Sequence, residues 1–246
     1  MVRSIRLGVI VPSSNTVLEP LTSAIASSID DTDVKVSVHY SRIRVTTIDT
    51  SGNANAQFSL EPMVAAAHHL ADAAVDVIGW SGTSSGWLGF EQDQVLCKAI
   101  QKATGIPATS SILSLNELLH RIKSKRLGLV TPYVACVNQA IRKNYKSIGY
   151  EITPGRERFL SMTNNFDFGN VDESQIDAMV SEAVDAGADV VAICCTNLRG
   201  ATRVPTWEHD HAIVVLDSVA TTVWGMLQVT GVDPGSVKGW GSLFKT

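Results

Sequence analysis

The sequence predicts an α/β protein of two pseudo-symmetric halves, each a parallel sheet covered by helices, and three observations carry that prediction. Short apolar runs alternate with segments of helical period, the grammar of parallel strands joined by crossover helices. The same grammar restarts near residue 127. The opening Arg6-Leu7-Gly8-Val9-Ile10-Val11-Pro12 is echoed by Arg126-Leu127-Gly128-Leu129-Val130-Thr131-Pro132, as an internal duplication would leave it. The echo reaches the later strands. Ala74-Val75-Asp76-Val77-Ile78-Gly79 leads to Gly82-Thr83-Ser84, and Ala188-Asp189-Val190-Val191-Ala192-Ile193 leads to Cys195-Thr196-Asn197.

Taken in order, the β-branched run Ile5–Val11 reads as a strand and Val17–Ile29 as the helix after it. Val34–Val45 is a strand, Leu60–Ala74 a helix, Val75–Trp80 a strand and Asp93–Thr104 a helix, each from its apolar spacing. Pro107–Ser111 connects to a helix at Leu113–Lys123. In the second half Leu127–Val130 is a strand, Val134–Ser147 a helix, Tyr150–Thr153 a strand, Ser174–Ala186 a helix and Val190–Cys194 a strand.

Composition narrows the function. Of 246 residues, 45% are hydrophobic and 18% charged, which supports a sizeable core and excludes disordered, collagen-like and coiled-coil chains. Lys and Arg total 20 against 24 Asp and Glu, a net charge of −4, with no basic cluster longer than Arg121–Arg126, so no nucleic-acid partner is expected. The apolar run after the two early arginines is short, and no stretch reaches the roughly 18 apolar residues of a spanning helix, so no membrane partner is expected either. A cytoplasmic protein follows. The four cysteines include the adjacent pair Cys194 and Cys195 but no CxxC, which suits neither a disulfide framework nor a zinc site and predicts reduced thiols.

Parallel strands bind ligands at their carboxyl ends, where each hands over to a helix whose first N–H groups are unpaired. Four such ends carry small polar residues: Ser13-Ser14-Asn15-Thr16, Ser81-Gly82-Thr83-Ser84, Thr131-Pro132-Tyr133 and Cys195-Thr196-Asn197. Facing each other across a cleft, they would offer hydroxyls and N–H donors with few full charges, a setting for a carboxylate or an enolate. For any single end, helix capping alone explains the residues. Four at matching positions of two repeats point to a site.

These residues resemble a family. Gly8-Val9-Ile10-Val11-Pro12-Ser13-Ser14-Asn15-Thr16, Gly82-Thr83-Ser84, Thr131-Pro132-Tyr133, Cys195-Thr196-Asn197-Leu198-Arg199, and Val215-Leu216-Asp217-Ser218 leading to Trp224 are together similar to the maleate cis-trans isomerase and arylmalonate decarboxylase branch of the Asp/Glu racemase superfamily. The resemblance spans nearly the whole chain. It implies two lobes with the active site between them, residues 1–115 with 216–246 forming the first and 116–215 the second. It implies catalysis without metal or organic cofactor, on a small carboxylate or dicarboxylate substrate. A closed homo-oligomer suits enzymes of this size.

The resemblance also assigns roles. Racemases and isomerases of this kind place a cysteine on each side of the substrate; here the second-lobe position is Cys195, and the first-lobe position is Gly82. Two-base racemisation, or addition of a first thiolate to a double bond, has no counterpart in glycine. Gly82-Thr83-Ser84 with a single Cys195 looks like the decarboxylase pattern. It implies that Thr83, Ser84 and Tyr133, with the Thr196 backbone N–H and Asn15, hold a carboxylate and stabilise the enediolate left by departing carbon dioxide, which Cys195 then protonates. Ser14, Gly82 and Asn197 complete the substrate-binding set. The alternative is an isomerase or racemase with Thr83 or Ser84 in the missing cysteine's place, and a further one is a carboxylate-binding protein without turnover.

Weaker candidates remain. Asn164 or Asn165 resembles an asparagine that the isomerase pattern places near substrate, the alignment leaving one residue of ambiguity. Trp80, Trp87 and Phe90 flank the Gly82 turn and would either line an apolar pocket or simply pack. Cys194 is expected to point away from Cys195 into packing, and Cys97 and Cys136 into the core. His209 and His211 beside Asp210 read as a solvated loop, and His68-His69 as polar helix residues; no metal site is expected.

Overall fold

The computed structural model describes residues 2–124 and 126–246. Two four-stranded parallel sheets are present, with strand orders β2-β1-β3-β4 and β6-β5-β7-β8. In the first half run β1 (Arg3–Pro12), α1 (Leu18–Ser27), β2 (Val34–Ile43), α2 (Gly52–Ala56), α3 (Leu60–Asp72), β3 (Val77–Trp80), α4 (Ser85–Leu88), α5 (Glu91–Thr104), β4 (Ala108–Ser110) and α6 (Ser111–Ile122). The second half has β5 (Leu127–Tyr133), α7 (Ala135–Ser147), β6 (Glu157–Met162), α8 (Asn165–Phe168), α9 (Glu173–Asp185), β7 (Val190–Ile193), α10 (Val204–His211), β8 (Val214–Asp217) and α11 (Ser218–Thr230).

The two sheets share one topology because the repeated strands occupy repeated places. β1 and β5, the strands of the Arg6/Arg126 echo, sit inside their sheets and are apolar along most or all of their length. Gly8 and Gly128 do the same work in each. A Cβ on Gly8 would lie 2.9 Å from a Val75 methyl, and one on Gly128 would lie 3.0 Å from Ala188 Cβ. Both glycines let the loop before the next strand close onto the sheet.

The junction is made by the last helix. β8 pairs with β7 as far as Ile193 and Asp217, so Leu216 and Asp217 belong to the second sheet, two residues past the expected handover at 216. α11 then packs on α6, β3, β4 and α1 of the first half. Its approach is close: a Cβ on Gly79 would stand 2.6 Å from Met226 Sδ, and one on Gly225 would overlap Ser114 Oγ. Asp217 caps α11, its Oδ1 accepting the N–H groups of Val219 and Ala220 at 2.8 and 3.2 Å.

Two expectations are corrected. The strand placed at Tyr150–Thr153 lies instead at Glu157–Met162; Tyr150 and Ile152 are buried anchors of a loop that runs into Pro154. β6 is an edge strand with alternating exposure, so charged Glu157 and Arg158 mask it, and a bulge at left-handed Ser161 shifts its register. Cys136 is exposed, because α7 turns Val137, Asn138, Ile141 and Tyr145 inward. The short helices α2 and α4 were not expected. Among the described residues, no helix is long and apolar enough to cross a membrane.

Candidate active site

The carboxyl ends of β1, β3, β5 and the turn after β7 converge on one cavity of about 20 Å³, room for about one water. Its polar lining is Thr83, Ser84, Tyr133, Asn165, Cys195 and Thr196, with Gly82 at the turn. Its apolar wall is Pro12, Val45, Ile48, Phe58, Trp80 and Trp87. No Lys or Arg is among the lining residues, so any anion held here would be met by neutral donors. A wider groove of about 540 Å³ lies beside Phe90 and Asn144, outside this cavity.

Cys195 is 2% exposed, and its Sγ accepts the Asn197 backbone N–H at 3.4 Å. Burial pushes the thiol up to about 12, and the nearby Asp217 carboxylate adds to the effect, while hydrogen bonds from Asn197 and Tyr133 oppose it. At neutral pH the residue is a thiol, the acid form. Tyr133 stands beside it with its hydroxyl 2.7 Å from Thr83 Oγ1. Burial, reinforced by the neighbouring cysteines, raises the Tyr133 phenol well above its usual value, so it remains a donor. Ser84 caps nothing with its side chain.

A second layer fixes these groups. Asn15 Oδ1 accepts the Val17 and Leu18 N–H groups, each at 2.9 Å, and its Nδ2 donates to Thr196 Oγ1 at 3.1 Å. The Thr196 hydroxyl donates to the Ser81 carbonyl. Asn197 Oδ1 takes the Thr16 N–H at 3.0 Å, and its Nδ2 donates to the Asn165 carbonyl. Asn165 Nδ2 donates to Ser14 Oγ at 2.8 Å, and Ser14 to the Val45 carbonyl at 2.6 Å. Ser14, Asn15 and Asn197, expected to touch substrate, therefore frame the cavity and do not line it, their polar atoms being engaged between the halves. Asn165 lines the cavity, whereas Asn164 caps α8 from an exposed position.

Of the aromatic candidates, Trp80 and Trp87 line the wall and Phe90 does not; it packs edge-on against Tyr145 at 5.1 Å. Phe58, absent from the sequence reading, joins them, its ring 6.4 Å from Trp80 and 5.7 Å from Trp87. The Cys194 thiol, also raised by burial, lies next to Thr83 and near Ile112 and Ile141 around Gly86. His209 pairs with Asp210 and His211 with Ser181, and among the described residues no three His, Cys, Asp or Glu side chains converge as metal ligands.

Asp217 is the residue the sequence marked only as part of a motif. It is fully buried, and while Oδ1 caps α11, Oδ2 has no partner among the described residues. Burial raises its carboxyl to about 7 against the capping N–H groups, which favour the anion. Because the folded value exceeds the ordinary 3.8, the native state holds the proton more tightly, and stability present below about pH 4 is lost as pH rises to about 7. Asp217→Asn keeps the Oδ1 acceptor and removes the titration. Relative to wild type it is expected to gain stability between pH 4 and 7, by at most on the order of 4 kcal/mol, then level off. Urea melts across that range check it, and a constant difference would refute the assignment.

The model of the arylmalonate decarboxylase family matches residues 8–244. The chain is 26% identical over 253 residues to a maleate isomerase of Pseudomonas putida KT2440, covering 99% of this chain and 98% of that one. It is 24% identical over 188 residues to an arylmalonate decarboxylase of Bordetella bronchiseptica, covering 75% and 78%. Among solved structures, a maleate isomerase of Nocardia farcinica with a covalently bound succinylcysteine superimposes with a TM-score of 0.88 at 23% identity, covering 98% of each chain. A double variant of arylmalonate decarboxylase in liganded form superimposes with a TM-score of 0.81 at 21% identity, again over 98% of each.

Proposed function

The chain belongs to the arylmalonate decarboxylase family, and from that membership we propose that it decarboxylates a 2-substituted malonic acid, with Cys195 as the acid that protonates the resulting enediolate. The observation that carries this reading is the single thiol of the cavity. Cys195 lines it, and so does Gly82, which stands at the position the resemblance gives to the first-lobe cysteine and carries no side chain.

Each step has a residue for it. One carboxylate is held by Thr83, Ser84 and Tyr133 hydroxyls and by the Thr196 N–H. The bond to the second carboxylate breaks, its electron pair remaining on the α-carbon and spreading into the held carboxylate as an enediolate. The apolar wall of Phe58, Trp80 and Trp87 disfavours a charged carboxylate and favours neutral carbon dioxide. Cys195 gives its proton to the α-carbon, and the thiolate left behind takes one from water. A thiol held at about 12 suits this order of events, since the group must be protonated in the resting enzyme and returns to that state unaided. Four free cysteines suit the cytoplasm as its setting.

Maleate isomerisation is the second reading, favoured by the names of several relatives. In the Nocardia structure a covalent adduct sits on a cysteine; here the first-lobe position, which the resemblance makes the adding cysteine in isomerases, is Gly82 and has no thiol to add. Incubation with phenylmalonate, alkylmalonates and maleate in deuterated buffer separates the two. Carbon dioxide release with deuterium at the α-carbon is expected. Fumarate from maleate without carbon loss would replace the reading.

A further inference from the structure

Trp80 occupies the ground where a first-lobe catalytic side chain would stand. Positions 80 and 82 flank Ser81 at the end of β3, where alternate residues share a side. A Cβ built on Gly82 would lie 2.2 Å from Trp80 Cζ2 and 2.4 Å from Cε2. The ring is not free to retreat, being 0% exposed and packed at 6.4 Å against Phe58. The third distance, 2.8 Å to Cη2, places that Cβ over the face of the ring, so Gly82 meets the indole's flat side, next to the Cε2 atom that carries the nitrogen. That nitrogen is buried and has no hydrogen-bond partner among the described residues. Trp80 itself lines the cavity. Trp87 and Trp207, by contrast, spend their N–H groups on Asn55 and Asp177, and Trp224, whose buried N–H is also unpartnered among the described residues, does not line the cavity. A buried donor left without an acceptor is costly unless something supplies one.

We infer that Trp80 is a substrate-binding and specificity-determining residue: its indole excludes any side chain at position 82, and its N–H donates to a carboxylate oxygen of the bound diacid. The inference rests on the proposed reaction for its substrate class. It explains why the cavity works from one side. The site does not merely lack a second thiol; an indole fills its volume and brings a neutral donor.

The test reads the indole N–H directly. In ¹⁵N-labelled Cys195→Ala protein, where bound diacid is not turned over efficiently, malonate, phenylmalonate and maleate are titrated while the assigned tryptophan indole resonances are followed. The Trp80 proton is expected to move downfield to saturation with at least one diacid, the Trp87 and Trp207 protons shifting far less. Trp80→Phe, which keeps a ring and removes the donor, is expected to weaken that diacid's binding about tenfold or more. A Trp80 resonance unmoved by all three diacids overturns the inference, as does undiminished binding by Trp80→Phe. The steric half has its own readout: Gly82→Ala is expected to lower the melting temperature, and Trp80→Leu in that background to restore part of the loss. An additive double variant contradicts the overlap. A Trp80 shift without any carbon dioxide release in wild type leaves this inference standing and removes the decarboxylase reading; release with a silent Trp80 removes the inference alone.

Discussion

Cys195→Ala lowers the rate of α-deuterated product formation by on the order of 10²–10⁴, the span general acid catalysis supplies, while leaving the fold intact. The expectation follows from the position of the thiol. It is the sulfur that lines the cavity, its proton is retained at neutral pH because burial raises it to about 12, and the Asn197 N–H holds it in place. Removing one buried sulfur costs little packing beside the chemistry lost. Cys195→Ser fails nearly as badly, since a hydroxyl holds its proton much more tightly than a thiol. Cys194→Ala is the control: its thiol packs near Ile112 and Ile141, beside Thr83, and does not line the cavity, so its loss is expected to be far smaller. Steady-state rates of the three variants, with circular dichroism for folding, check the set. Equal losses at both cysteines would show that the site depends on packing and not on the acid.

Tyr133→Phe lowers kcat by on the order of 10²–10³, the cost of losing one preorganised donor to a developing oxyanion. The phenol is kept protonated by burial and held at 2.7 Å by Thr83, with its ring in edge contact with Trp87 and Phe168 at 5.4 and 5.6 Å. Phenylalanine preserves those ring contacts, so the melting temperature is expected to change little and the loss to fall on kcat more than on KM. A loss confined to KM would place Tyr133 in ground-state binding alone.

The sequence disclosed the two sheets because their inner strands are buried on both faces and read as unbroken apolar runs. β6 escaped because it opens on the charged pair Glu157 and Arg158, as an edge strand can, and has no run of fully buried apolar residues. Cys195, Thr83, Ser84 and Tyr133 were legible as polar residues at strand ends, whereas Asn165 came only from the resemblance, with Asn164 as its rival. The distinction between lining and framing residues was not. Asn15, Ser14 and Asn197 have the same chemistry as the lining residues, and only the other half's groups, Thr196, Asn165 and Thr16, show that their polar atoms are engaged. Asp217 entered only as part of a motif; its capping of α11 is seen in the structure, and its nearness to Cys195 depends on β7 and β8 being paired. The overlap of Trp80 with position 82 was within reach, since residues two apart on a strand share a side. Nothing in the spacing says that the indole lies over the turn instead of turning away.

The central claim is protonation from one side by one acid, and the stereochemical course in deuterium oxide tests it most directly. With a malonate bearing one aryl and one alkyl substituent, the account predicts that wild type releases one carboxyl group as carbon dioxide and yields a single enantiomer of the α-deuterated monoacid. Returned as purified protonated acid, the product should keep both its configuration and its α-hydrogen on long incubation, because no second base faces Cys195. Racemic product, or exchange of the returned acid's α-hydrogen, would contradict the account and require a second group at the Gly82 side of the cavity.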